Sequence, residues 1–172
     1  MLSLDENGVS DVSALGTLTR LEYLSLDKNE VSDLDALRSL SRLQHLFAAH
    51  NAISDVSALR ELPELETLSL SGNRLTDVEP LRGLSKLGLL ALDGNKLTDI
   101  EPLGGLHELT VLYLDGNAVS DLSALAEMTE LELLTLDDDP AVDTSVLDGL
   151  PKLQIQSFDE YGEYEAPAEG IE

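Results

Sequence analysis

All six asparagines of this chain, Asn7, Asn29, Asn51, Asn73, Asn95 and Asn117, stand 22 residues apart. Asp139 takes the next place in the series, and Asp11, Asp33, Asp55, Asp77, Asp99, Asp121 and Asp143 keep the same step. A fixed period of this length constrains a fold more than any local propensity, because each unit must be one small element stacked on its neighbours. One unit, Leu21 to Arg42, reads LEYLSLDKNEVSDLDALRSLSR, with apolar residues at unit positions 1, 4, 6, 11, 14, 17 and 20. Almost every unit repeats those places.

Each place has a physical reading. Leu24 and Leu26 alternate with Tyr23 and Ser25, the period-two signature of a short strand with one buried face. Three residues of strand are not stable alone. Stacking sets Leu2, Leu24, Leu46, Leu68, Leu90, Leu112 and Leu134 in a column about 4.8 Å apart, the spacing of paired strands, which gives a parallel sheet. The chain then leaves the sheet at the asparagine. Its short amide suits turn backbone groups, so Asn29, Asn51, Asn73, Asn95 and Asn117 are expected to form a structural ladder inside the coil.

A Ser/Thr-Asp pair follows, as in Ser32-Asp33 and Thr76-Asp77, and either side chain can cap a short helical turn. Pro80 and Pro102 fall in the first turn, where a missing N–H costs little. Leu37 and Leu40, three apart, suit a 3₁₀ or irregular helix.

This pattern, L-x-x-L-x-L-x-x-N followed by V/I/L-[ST]-D-[LVI]-x-x-L-x-x-L, resembles the 22-residue class of leucine-rich repeat. That class is known from internalin-type bacterial surface proteins and from a regulatory subunit of protein phosphatase-1. The resemblance runs from Leu2 to about Leu153. It implies an α/β solenoid, a horseshoe with a parallel β-sheet on the concave face and short 3₁₀ or irregular helical segments on the convex face. It further implies a non-enzymatic scaffold that binds a protein or peptide along the concave face. The alternative is a structural spacer or a fragment of a larger, cell-surface repeat protein with binding elsewhere.

The expected array spans residues 1–155, about seven units, and 156–172 form an acidic, disordered tail. Met1-Leu2-Ser3-Leu4 opens inside a strand with no evident polar cap, which solenoid ends need. A complete chain of this kind reads as cytoplasmic, and a fragment without its leader as secreted or cell-surface. In the last unit Asp139 replaces Asn and Gln156 takes a leucine place; Leu147, Leu150, Leu153 and Phe158 are expected to close the core.

Charge narrows the function. With 34 acids against 10 Lys and Arg, the formal net charge is −24, which opposes nucleic-acid phosphates and anionic lipid. No stretch has the length of a membrane span, so no membrane insertion is expected. The acid content fits either a salt-adapted, halophilic-like surface or a basic partner. There is no Cys, which removes disulfides, thiolate sites and cysteine nucleophiles.

No catalytic constellation emerges. There is no G-x-S-x-G turn and no Ser paired with a base, and the Gly-Asn pairs Gly72-Asn73 and Gly94-Asn95 belong to the repeat turn. His45 and His50 are too far apart along an extended segment to share a metal. The stacked Asp93, Asp115 and Asp137 could invite a cation, but their spacing lacks the Gly and Glu of a calcium loop. Neither a cofactor nor a metal is expected. The charges ahead of each first leucine, among them Arg42, Glu64 and Lys86, read as neighbour pairing without a binding role.

The outward strand positions are free of the repeat's demands and so carry more information. They hold Tyr23, His45, Thr67, Leu89, Val111 and Leu133 in one column and Ser25, Phe47, Ser69, Ala91, Tyr113 and Thr135 in the next. Leu89, Ala91, Val111, Tyr113 and Leu133 are expected to form an apolar patch rimmed by Asp93, Asp115, Asp137 and Asp138, as in a protein-binding face. The candidate contact residues are Tyr23, Phe47, Leu89, Val111, Tyr113, Leu133, Asp115 and Asp137, with Tyr113 the foremost anchor.

Overall fold

The computed structural model describes residues 1–137 and 141–157. Eight short strands, β1 (Leu2–Ser3), β2 (Tyr23–Ser25), β3 (His45–Phe47), β4 (Thr67–Ser69), β5 (Leu89–Ala91), β6 (Val111–Tyr113), β7 (Leu133–Thr135) and β8 (Gln154–Gln156), form one parallel sheet in chain order. A 3₁₀ turn follows each of the first seven, from Ser13–Thr17 to Ser145–Leu147. Strand and turn alternate unit by unit, so the chain is a solenoid horseshoe with the sheet on one face and the 3₁₀ turns on the other.

The register follows the leucine column. Leu2 pairs with Leu24, Leu24 with Leu46, and so on to Leu112 with Leu134. From Leu24 to Leu134 every leucine of this column is fully buried. The apolar places on the turns, such as Leu37, Leu40, Leu59, Leu62, Leu103 and Leu106, close the other side of the same core. Each unit thereby buries on its neighbours the face it could not bury alone.

The asparagines hold the turn between sheet and convex side. Asn73 Nδ2 donates to the carbonyls of Ala48, Leu70 and Ser71 at 2.9, 3.0 and 3.2 Å, and its Oδ1 accepts the Ile53 N–H at 3.0 Å. Asn29, Asn51, Asn95 and Asn117 make the equivalent bonds one unit apart. The residue just before the asparagine adopts the left-handed backbone, φ 52–66°, and is glycine in three units (Gly72, Gly94, Gly116). In the others Glu6, Lys28 and His50 tolerate it.

Of the Ser/Thr-Asp pair, the aspartate caps each turn. Asp11, Asp33, Asp55, Asp77, Asp99, Asp121 and Asp143 each accept the N–H two residues on, at 2.7–2.9 Å. The donated bonds, from the backbone first and then the hydroxyl of the serine two residues on, hold Asp11, Asp55 and Asp121 below the usual carboxylate range. At Asp143 the Ser145 hydroxyl contributes more than its N–H. A column that reads as repeated acid is therefore built into the turns.

The last unit departs from the sequence expectation. Leu134 pairs with Ile155, not with Gln156, so the final strand step is 21 residues. Met128 and Leu150 hold equivalent places at the end of their turns, which puts the missing residue between Leu150 and Gln154. Ile155 thus takes the core-facing place, 43% exposed on the terminal strand, and the sheet runs one residue past the expected array end at 155. At the other end Leu2, Leu4, Val9 and Leu15 are partly buried against the core. Phe158 and the acidic segment lie outside the described residues, as do Asp138 and Asp139.

Candidate functional site

The sheet's second face presents three columns. Two come from the outward strand positions; the third, two residues past each strand end, reads Asp5, Asp27, Ala49, Ser71, Asp93, Asp115 and Asp137. Pairing in register makes each residue the neighbour of its counterpart 22 residues away.

In the later units Leu89 pairs with Val111 and Val111 with Leu133. All three are part-exposed, so three aliphatic side chains lie next to one another on an outward face. The column beside them is different. Ala91 and Thr135 are buried, and Tyr113, between them in register, is only 8% exposed. Tyr113 therefore forms floor and not the protruding anchor that its outward position suggests. Along one border Asp93 and Asp115 are part-exposed and Asp137 is exposed. Asp93 accepts the Ser71 hydroxyl at 2.6 Å, and both oxygens of Asp137 accept the Gly116 N–H at 2.9 Å.

The earlier units carry rings. Tyr23 lies 5.4 Å from Phe47 and 6.2 Å from His45, centroid to centroid, at tilts of 38° and 48°. His45 Nδ1 sits 3.1 Å from the Thr67 hydroxyl. Beside the rings Asp5 Oδ1 accepts the Ser25 hydroxyl at 2.5 Å and the Asp27 N–H at 2.9 Å. Asp27 Oδ1 in turn accepts the Ala49 N–H at 2.6 Å. Between the two halves β4 contributes only Thr67 and Ser69, with Ser71 beyond. Sequence reasoning passed over Asp5, Asp27 and His45 as contact candidates. The signal was present, because Asp5 and Asp27 share the 22-residue place of Asp93, Asp115 and Asp137.

Burial pushes the Asp27 carboxyl up, and the Asp5 carboxylate adds to that, while the Ala49 N–H, His50 and Lys28 pull it down. An acid whose folded pKa is raised opposes folding when charged, and the opposition disappears as pH falls through its folded value. Asp27→Asn, whose carbonyl can still accept from Ala49, is therefore expected to raise the thermal midpoint at neutral pH. That gain should shrink toward zero as the pH is lowered below the carboxylate range. A gain that persists undiminished at acid pH would show that the Asp27 charge is not its source.

Exposed ion pairs link the units outside these columns. Of the charges ahead of the first leucines, Lys86 takes Glu64 at 2.6 Å and Lys152 takes Glu130 at 2.5 Å. Arg38 pairs with Asp35, and Arg82 with both Glu79 and Glu101. Among the described residues no group of three or more His, Asp or Glu is placed to hold a metal ion, and no helix is long and apolar enough to cross a membrane.

Comparison with known proteins agrees with this geometry. Two leucine-rich-repeat family models match, one for two repeat copies over residues 41–83 and one over residues 63–119. Among solved structures, an internalin (inlF) of Listeria monocytogenes is 31% identical, with a TM-score of 0.82 over 92% of this chain. This chain spans 49% of that protein's length. Internalin C2 of the same bacterium is 28% identical over 91% of this chain and 80% of its own, with a TM-score of 0.66. A leucine-rich-repeat protein of Leptospira interrogans is 27% identical over 87% of this chain and 40% of its own, with a TM-score of 0.79. A comparison with curated proteins finds no match. Joined to the 22-residue unit, the eight-stranded parallel sheet and the asparagine turns, these matches identify the chain as a leucine-rich-repeat protein.

Proposed function

We propose that this chain is a non-enzymatic scaffold that binds a protein or peptide along the concave face of its sheet. Leucine-rich-repeat proteins generally serve as protein-binding scaffolds. The observation that carries the reading here is the row of Leu89, Val111 and Leu133, three part-exposed aliphatics side by side at strand positions where the core demands nothing. Ala91, Tyr113 and Thr135 give that row a packed floor, and Asp115 and Asp137 give it an acidic border. An apolar centre with a charged rim suits a polypeptide ligand with basic groups.

A random-peptide library selected against the full chain, followed by titration of the selected peptides, tests this. Leu89→Ser, Val111→Ser and Leu133→Ser should each weaken binding by about fivefold to thirtyfold, the range for an anchor worth about 1–2 kcal/mol. Their outward position should leave the fold in place. Selected peptides whose affinity ignores these three changes and also Tyr23→Leu and Phe47→Leu would overturn the concave reading.

The acid surface has its own test. With a net charge of −24, screening should relieve self-repulsion, so the thermal midpoint should climb as KCl rises from millimolar to molar concentration. A flat midpoint would remove salt adaptation as the reason for the acids and leave partner choice.

A further inference from the structure

The early half of the concave face has a chemistry that the apolar row does not share. Tyr23, His45 and Phe47 form a part-exposed ring cluster on β2 and β3, with Asp5 and Asp27 beside it. The two carboxylates are held in place. Asp5 takes hydroxyls from Ser3 and Ser25, and Asp27 takes the Ala49 amide. Both acids act on the Tyr23 hydroxyl, whose pKa is raised by burial first and then by Asp5 and Asp27. Lys28, next in the chain, has its ammonium on Glu6 at 2.9 Å. Ring faces carry negative quadrupole, and a cation is attracted to them most where fixed carboxylates stand nearby.

We propose that Tyr23, His45 and Phe47, with the Asp5 and Asp27 carboxylates, form a seat for one cationic side chain of a polypeptide crossing the concave face. This rests on the reading that the concave face takes a polypeptide. It adds where the basic group goes. Charge complementarity selects the occupant: the seat joins two acids to aromatic faces, on a chain whose net charge is −24. The Thr67, Ser69 and Ser71 stretch then separates the cationic seat from the aliphatic row. Strand spacing puts the two centres roughly 15 Å apart, which an extended peptide covers in about four or five residues. The ligand is thus one with a basic residue at that distance from an apolar pair.

The test uses Nα-acetyl-arginine amide as probe, titrated into the full chain at low salt and followed by NMR. Nα-acetyl-citrulline amide is its neutral isostere. Saturable shifts are expected at the Tyr23, His45 and Phe47 rings and the Asp27 amide, with citrulline at least about tenfold weaker. Combining Asp5→Asn with Asp27→Asn should weaken the arginine probe at least about fivefold, and Tyr23→Leu about threefold. Thermal midpoints of these variants report whether the fold is kept. Leu133→Ser should leave the arginine probe unaffected, so failure of the aliphatic row and failure of the seat are read separately. Shifts spread evenly over convex acids such as Asp77 and Asp99, or equal binding of citrulline, would overturn the seat.

Discussion

Asn73→Ala is expected to lower the stability of this chain by about 2–3 kcal/mol, measured from urea denaturation midpoints. Asn73 is 7% exposed and makes four bonds to backbone groups of its own and the preceding unit. Alanine would leave the Ile53 N–H without its partner where water has little access, at a cost of about 1–3 kcal/mol. The Ala48, Leu70 and Ser71 carbonyls each lose one donor and keep another, from Asn51, Asn95 and the His50 N–H, so they add less. Asn7 provides the internal control. Among the described residues its exposed amide donates to the Asp5 carbonyl alone, so Asn7→Ala should cost about 1 kcal/mol or less. Arg60→Ala, on an exposed convex position, should cost under about 0.5 kcal/mol. Equal losses at Asn73 and Asn7 would mean that the buried amide column does not hold the units together.

A comparable loss is expected from Leu90→Ala, about 3–4 kcal/mol, whereas Leu89→Ala one residue earlier should cost about 1 kcal/mol or less. Leu90 is fully buried at the centre of β5 and pairs with Leu68 and Leu112 on either side. Truncation would open a cavity between two neighbouring units that have little freedom to collapse. Leu89 points to the other face, and a strand shifted by one residue would exchange the two. The contrast therefore checks which leucines serve the core and which are available to a ligand. Similar losses for the two variants would contradict the register.

Most of the fold was legible in the sequence because the period transmits itself. Once Asn29, Asn51 and Asn73 recur at 22 residues, one strand assignment fixes the rest, and the leucine column fixes the register. What escaped was where the period breaks. Leu150-Pro151-Lys152-Leu153-Gln154 is one residue short of its counterpart, and nothing local in that stretch says whether Ile155 or Gln156 faces the core. Only pairing with Leu134 decides it. Exposure on the concave face was the harder part. Alternation correctly put Tyr113 on the outward side, but its 8% exposure depends on the side chains around it in neighbouring units. A single-strand pattern carries no such information. The ring and carboxylate cluster was half legible: the period sets Tyr23 beside His45 and Asp5 beside Asp27, but the 5.4 Å approach of the Tyr23 and Phe47 rings depends on side-chain orientation that the pattern does not carry.

The most direct measurement of concave binding is methyl cross-saturation from a library-selected peptide onto the full chain. Leu89, Val111 and Leu133 methyls should lose intensity on irradiating the peptide. Leu18, Val146 and Ile155, exposed at 42%, 41% and 43% but off the aliphatic row, should not. Saturation confined to Leu18, Val146 or Ile155, with the three row methyls unaffected, would place the partner elsewhere and contradict a scaffold that works through its concave face.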